Sequence, residues 1–481
     1  MLTQTFINIA DTLFVGKLDP SLSIPGQAAL GYSLPLLWIV GGCLSAIGVG
    51  TQAITARRFG EQKPGLAGQV LTNSLLIAVT LGTIASLAAW YFAPSMFGVL
   101  TNNEAVKSLG IPYCEIRFLG VLSMVATASL KAFFDGISKT HVHMIAAIVM
   151  NVLNLVLNYC LIFGFWIFPR LEVEGAAIAS VIASYVGMFI MVGWTLAPKY
   201  GRNFQYYTMR KLDLGVTWAI AKLSVPSGLA TVFVMAGVLM FVKIIGLLDE
   251  QAIADSLTAT GVYLGDSASL YSAHQNAIVA QTQLPGVGVA SDMTHTLLQT
   301  RPAVFTAAAK VIFDVMSVCF IAALAFGTAT ATLVSQSLGA GKPDLAEQYG
   351  WNSVKIFSMV MAVVGLLIAL FPEATLDLIS DDQIVIQAGA TGMRIQGICM
   401  PLVAAGIICT QALFGAGDAK FVMYVELVLH FTMLVPVAYL LSETFEFGFL
   451  GVWFASALYI VLLAVIMAWK FASGSWKKIQ L

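Results

Sequence analysis

The sequence predicts an all-α polytopic membrane protein with twelve transmembrane helices, arranged as two six-helix lobes related as a parallel repeat. Three observations carry this: the composition, the succession of apolar runs and an internal repeat. Of 481 residues, 59% are hydrophobic and only 10% charged, with a mean hydropathy of +0.87. Soluble domains carry roughly 25% charged residues, so a soluble enzyme, a secreted disulfide domain and a nucleic-acid binder are excluded. The net charge of -1 identifies no partner; in a membrane protein the placement of charge is informative instead. Cys43, Cys114, Cys160, Cys319, Cys399 and Cys409 lie in apolar stretches without CxxC spacing, so neither a disulfide nor a zinc site is expected.

Apolar runs between polar or Gly/Pro breaks place the helices near 1–16, 26–56, 66–98, 108–135, 141–168, 174–197, 216–247, 302–334, 345–371, 384–414, 419–442 and 448–473. Helix 1 is short. The 16 residues before Lys17 rise about 24 Å at 1.5 Å per residue, less than the roughly 30 Å hydrocarbon core. Either the start is truncated or helix 1 begins deep in the membrane. No basic region precedes its apolar run, so no signal peptide is expected.

The breaks set the topology. Arg57, Arg58, Lys63, Lys139, Lys199, Arg202, Arg210, Lys211, Lys222, Lys342, Lys420, Lys470, Lys477 and Lys478 fall on one side, against Lys17, Lys107, Arg170 and Arg301 on the other. This asymmetry predicts cytoplasmic termini in a multi-pass protein of the cytoplasmic (inner) membrane. Glu172, Glu174, Glu373, Asp377, Asp381, Asp382, Glu443 and Glu446 make the outer loops acidic.

The repeat fixes the lobes. Gly48–Gln69, GVGTQAITARRFGEQKPGLAGQ, aligns without a gap to Gly327–Gln348, GTATATLVSQSLGAGKPDLAEQ, with eight identities in 22 positions at an offset of 279. The same offset pairs Gly136 with Gly415, and after a three-residue slip Glu174–Ser180 meets Leu450–Ser456. Six helices return the chain to its starting side, so both halves enter the membrane in the same sense, as in parallel-repeat transporters. The expected organisation is an N-lobe over 1–197, a cytoplasmic linker over 198–215, a C-lobe over 216–473 and a cytoplasmic tail over 474–481. An outer-face insertion at about 249–301 holds Asp249, Glu250, Asp255, Asp266 and Asp292. It is either a lid over the outer vestibule or a tolerated insertion.

Polar residues inside the spans are the functional candidates. Gln4, Asn8 and Asp11 are 4 and 3 apart and share one face of helix 1. An ionisable group in a span usually marks an ion or proton path; Asp11 can exchange a proton or ligate Na⁺ as a hard oxygen donor, or cap a helix break. Asn151, Asn154 and Asn158 form a second polar face, on helix 5. They either line a cation site with Asp11 or tie helices together. Lys310/Asp314 and Glu426/His430, each four apart, can neutralise themselves, or Asp314 and Glu426 can dock a cationic substrate. With Lys243 of helix 7 they are the candidate lining of a substrate cavity. Lys131/Asp135 reads as a structural pair. Glu115, Arg117 and Arg394 lie near outer helix ends, where snorkelling accounts for them. The two GxxKP turns read as helix–turn–helix hinges in which Gly permits positive φ, and Pro35, Pro226 and Pro401 as kink positions.

ADTLFVGKL (Ala10–Leu18), TQAITARRFGEQKP (Thr51–Pro64), NVLNLVLNYCLIFG (Asn151–Gly164) and GTATATLVSQSLGAGKP (Gly327–Pro343) resemble the multidrug and toxic compound extrusion (MATE) family. The resemblance spans nearly the whole chain outside the insertion. It implies two lobes facing each other across a V-shaped cavity and export of organic molecules driven by H⁺ or Na⁺, with Asp11 matching the carboxylate implicated in coupling. Some family members carry a carboxylate where Asn158 stands, and one branch has acids in helices 7 and 10. Here those are absent, so no cation site transfers to the C-lobe. The function expected is a cation-coupled (H⁺ or Na⁺) antiporter that exports amphipathic, cationic organic compounds by alternating access. It has no catalytic residue, resident metal or cofactor; its partners are the lipid bilayer and a small organic substrate, and it acts as a monomer. A lipid-linked precursor flippase and a non-transporting paralogue are the alternatives. A membrane-embedded enzyme would need an HExxH or paired-aspartate motif, and the chain has neither.

Overall fold

Inside a bilayer every backbone N–H and C=O must find its partner within the chain, which restricts the apolar runs to helices. The computed structural model describes residues 2–101, 103–165, 167–207, 212–259, 304–380 and 382–480, and every regular element among them is helical. The first half comprises α1 (Leu2–Val15), α2 (Pro20–Leu37), α3 (Cys43–Ser45), α4 (Ile47–Gly60), α5 (Pro64–Leu100), α6 (Glu104–Leu119), α7 (Val121–Gly136), α8 (His141–Phe163), α9 (Glu172–Leu196) and α10 (Pro198–Phe204). The second comprises α11 (Leu214–Ala259), α12 (Val304–Gly339), α13 (Pro343–Leu370), α14 (Pro372–Asp377), α15 (Gln383–Ala416), α16 (Ala419–Val428), α17 (Val435–Tyr439) and α18 (Gly448–Ala472). Among the described residues eleven helices are long and apolar enough to span. With the 14-residue α1 they make the twelve-helix, two-lobe arrangement.

Three expected spans are interrupted. The second runs through α2, a π-helical stretch at Trp38–Gly42, α3 and α4. Pro35 supplies no N–H to the ladder, and the register shifts one turn later. The fourth breaks at Gly120 between α6 and α7. Its freed backbone groups are taken by side chains: Ser86 Oγ accepts from Leu122 N, while Ser123 Oγ and Tyr185 Oη donate to the Gly120 and Leu119 carbonyls. The eleventh carries π-helical stretches at Leu429–Leu434 and Leu440–Thr444 on either side of α17, which holds Pro436. Pro226 and Pro401 lie inside unbroken helices.

The two GxxKP turns have nearly the same conformation, with Lys63 at φ -113°, ψ 68° and Lys342 at φ -118°, ψ 69°. The left-handed residues are Gln62 and Gly341, whereas Gly60 and Gly339 remain helical. Those two glycines therefore serve close approach rather than positive φ. A Cβ on Gly60 would lie 2.1 Å from the Gln336 carbonyl oxygen, and one on Gly339 would lie 2.1 Å from that of Arg57. The offset of 279 carries Arg57 onto Gln336 and Gly60 onto Gly339, so the two contacts are one contact seen from each half.

The halves join at this level, on the Lys/Arg-rich face. Gln52 donates to Thr328 O and Thr332 Oγ1, Ser335 to Ala53 O, and Gln336 to Gly136 O. The segment after α18 is docked rather than free: Trp476 is fully buried and stacks on Phe471. Lys477 pairs with Asp344 and Glu347. Arg57 donates to Ile479 O and Ala416 O. At the opposite face Asp249 is buried near the end of α11, and its two oxygens accept from Phe305 N and Thr306 N at the start of α12. Residues 249–259 of the expected insertion continue α11 to Ala259, and its remainder, from 260 on, lies outside the described residues.

Candidate functional site

Val15 of α1 packs with Ile162 of α8 and with Val173, Ala176 and Ala177 of α9. That seam brings Asp11 to the centre of the first half, where it is fully buried. Its Oδ2 accepts from Ser180 Oγ at 2.6 Å and Tyr113 Oη at 3.3 Å. Its Oδ1 accepts from Asn158 Nδ2 at 2.8 Å and Asn154 Nδ2 at 3.4 Å. Four neutral donors on two oxygens match the acceptor-only character of an ionised carboxylate. Asn154 also donates to Ser180, and Asn158 to Asn154. Asn158 Oδ1 is buried without a hydrogen-bond partner among the described residues.

Asn154 and Asn158 thus meet Asp11 as the spacing of 3 and 4 implies. Asn151 does not join them: its Oδ1 is buried without a partner among the described residues. Asn8 reaches the cluster through a different residue, accepting at 2.9 Å from Arg117 Nη2. The side chain of Gln4 lies outside the described residues.

Arg117 corrects the sequence reading. It is only 5% exposed, and its Nη1 lies 3.9 Å from Asp11 Oδ2. It is no snorkelling residue at a helix end. Instead α6 begins at Glu104 and stops at Leu119, which places Arg117 at the mid-span break. Its guanidinium also stands 5.9 Å from the Tyr113 ring.

In the second half the candidates stay apart. Lys310 pairs with Asp314 at 2.7 Å in an exposed pair. Glu426 is buried, its Oε2 accepting from Tyr459 Oη at 3.1 Å with His430 Nδ1 3.4 Å away. Lys243 is exposed. None of the three contacts the Asp11 cluster or another of the three among the described residues. Lys131 and Asp135 form the expected pair, at 2.5 Å.

Three residues of the cluster, Tyr113, Arg117 and Ser180, were not anticipated. Tyr113 and Arg117 are four apart and so share a helix face, and Ser180 closes the segment that the repeat matches to Ser456. The repeat extends to the site itself. At the offset of 279 the counterpart of Arg117 is Gln396, which donates to Ser456 Oγ at 3.1 Å. At this position the second half carries a neutral side chain where the first carries a cation.

Beside the cluster a pocket opens between α2, α6, α7 and α9. Asn8, Arg117, Ser180 and Ser184 supply its polar wall, and Leu34, Trp38 and Met124 are among its apolar lining. Trp38 is the first residue of the π-helical stretch after Pro35.

A model of the MatE family matches residues 1–160 and 293–440. A Thermotoga maritima protein named as a probable multidrug resistance protein NorM is 24% identical, over 99% of this chain and 90% of its own length. A Shewanella oneidensis protein named as an FAD transporter is 24% identical, over 80% of this chain and 73% of its own. Among solved structures, a MATE crystallised in a bent conformation shares the fold, with a TM-score of 0.78 at 19% identity over 98% of this chain and 92% of that one.

Proposed function

We propose, from the premise that this chain belongs to the MatE family of membrane transporters, that it is an H⁺- or Na⁺-coupled antiporter that exports amphipathic organic compounds by alternating access. The observation that carries the coupling role is Asp11, a carboxylate fully buried within the membrane and held by four uncharged donors. An intramembrane acid of this kind is a functional site by default, because a merely structural one could be replaced at lower cost.

Asn158 supplies the other half of the chemistry. Its amide donates to Asp11 through Nδ2 while Oδ1 has no partner among the described residues. A half-turn of that amide exchanges donor for acceptor, so the same side chain serves the ionised carboxylate and the protonated one, or turns an oxygen toward Na⁺. Loading Asp11 then rearranges hydrogen bonds among α1, α6, α8 and α9, including the one from Asn158 to Asn154.

The basic face is assigned to the cytoplasm. The halves meet at that face, which corresponds to a carrier closed inside and open outside. Residues 1–197 and 216–473 are assigned as its moving lobes and 198–215, which includes α10, as their linker; the protein is taken to act as a monomer. The resemblance to a protein named for multidrug resistance supports amphipathic drugs as substrates, with Asp314 and Glu426 as the acids available to a cationic one.

The test is efflux of a fluorescent cationic dye from proteoliposomes under separately imposed proton and sodium gradients, comparing the intact protein with Asp11→Asn. Transport driven by one ion and lost in the variant is expected. Gradient-driven transport that survives the substitution would make Asp11 structural and remove the reading.

A further inference from the structure

Arg117 is a buried cation whose capacity is mostly unspent. A guanidinium has five N–H donors. Among the described residues only one is used, by Asn8 Oδ1 at 2.9 Å. Nε has no partner, and Nη1 stands 3.9 Å from Asp11, beyond hydrogen-bonding distance. Asp11 has no need of it, since four neutral groups already donate to its oxygens. The fold has no need of it either: the equivalent position in the second half carries neutral Gln396, bonded to Ser456. A buried guanidinium left this incomplete is costly unless something else completes it. Of the charged side chains, Arg117 alone lines the pocket beside the cluster, whose walls add Trp38, Leu34 and Met124 for apolar contact; the hydroxyls of Ser180 and Ser184 there already donate, to Asp11 and to the Ser180 carbonyl.

We infer that this pocket, about 30 Å³ in volume and open at one side, binds only the head group of an amphipathic organic monoanion, a carboxylate or sulfonate, with Arg117 as its principal donor and the aromatic or aliphatic body extending out of the opening past Trp38 and Met124. Guanidinium forks match a two-oxygen anion in geometry as well as charge. The linkage to Asp11 rests on the coupling reading above. The one charged side chain facing the guanidinium among the described residues is Asp11 from α1; on its own helix Tyr113 and Cys114 are titratable but neutral, each donating a hydrogen bond, and α8 and α9 present only amides and a hydroxyl to the cluster. With Asp11 ionised, Arg117 is neutralised. With Asp11 carrying its ion, the guanidinium charge is uncompensated and available to an anion. An organic anion and the coupling ion therefore bind together, whereas a cation competes with the coupling ion. The antiport proposed above is therefore the behaviour of a cationic substrate, and an organic anion bound here is a co-ligand of the coupling ion.

The experiment measures binding without transport, so it stands or falls independently of the dye assay. Radiolabelled 2-naphthoate is bound to the purified full-length protein in detergent by scintillation proximity and displaced with unlabelled 2-naphthoate, neutral 2-naphthamide or cationic 2-naphthylmethylammonium. Saturable binding displaced by naphthoate and not by naphthamide is expected. Arg117→Gln is expected to weaken it at least about tenfold, the scale of one charge-assisted bond, Arg117→Lys by less, and Asp11→Asn to tighten it several-fold. Equal displacement by naphthamide overturns the anion site on the unmodified protein, with no dependence on whether a variant folds. Unaltered affinity in a folded Arg117→Gln protein overturns it as well. Unaltered or weaker binding in Asp11→Asn overturns the linkage.

Discussion

The three asparagines of α8 share a sequence spacing but not a role. Asn154 and Asn158 each donate to Asp11, and Asn151 does not. Removing a buried donor costs about 1–3 kcal/mol where its acceptor is left unpaired, so Asn154→Ala and Asn158→Ala are each expected to lower ion-driven dye efflux about tenfold. Asn151→Ala should stay within about twofold, because its Oδ1 is already unpartnered; initial rates in proteoliposomes at matched protein content check both. This half of the site was legible in the sequence, since Asp11, Asn154 and Asn158 are polar residues at helical spacing in apolar runs. Arg117 was not, and the reason is geometric. Reading 108–135 as one span puts residue 117 near its outer end, where a long cation reaches water. The helix instead begins at Glu104, and 13 residues at 1.5 Å carry Arg117 about 20 Å along the axis, beyond the reach of its side chain.

At the scale of elements, interruption by Pro and Gly was expected and its form was not. Pro35 was read as a kink and Pro436 was not singled out, yet both stand beside π-helical stretches. One extra residue in a helical turn leaves a lipid-facing run as apolar as before, so hydropathy carries no trace of it. The break at Gly120 leaves as little trace, because beside the local Ser123 the groups that satisfy it, Ser86 and Tyr185, come from positions that only the folded chain brings together. Asp249 had been counted with the acidic insertion. It lies instead within α11, from which its carboxylate caps the start of α12 through two backbone amides. Asp249→Ala is expected to lower stability by about 1–2 kcal/mol, the upper range for a lost helix cap, read as a shift in thermal unfolding in detergent. Asp249→Asn, which keeps one acceptor, should lose less.

For the whole molecule, the repeat was the strongest sequence signal and is visible in the packing. The halves meet through the contact of Gly60 with Gln336 and its counterpart of Gly339 with Arg57, each too close for a Cβ. A methyl group on either glycine has to push the two backbones apart at the closed face. Gly60→Ala and Gly339→Ala are therefore expected to shift the population toward the state open at the basic face, and to comparable extents, since each alters the same contact. Spin labels placed on the two GxxKP turns would show the change as a longer distance distribution; an effect at one glycine alone would mean that the contact is not shared equally. Beneath this closure, Arg57 donates to the carbonyl of Ile479, 422 residues further along the chain, and to that of Ala416. At about 5–20 residues per second of synthesis, the guanidinium waits roughly 20–80 s for its acceptor to be made. Throughout that interval the first lobe can fold and the closed face cannot be completed, so a nascent or C-terminally shortened carrier lacks the bond that fastens it shut.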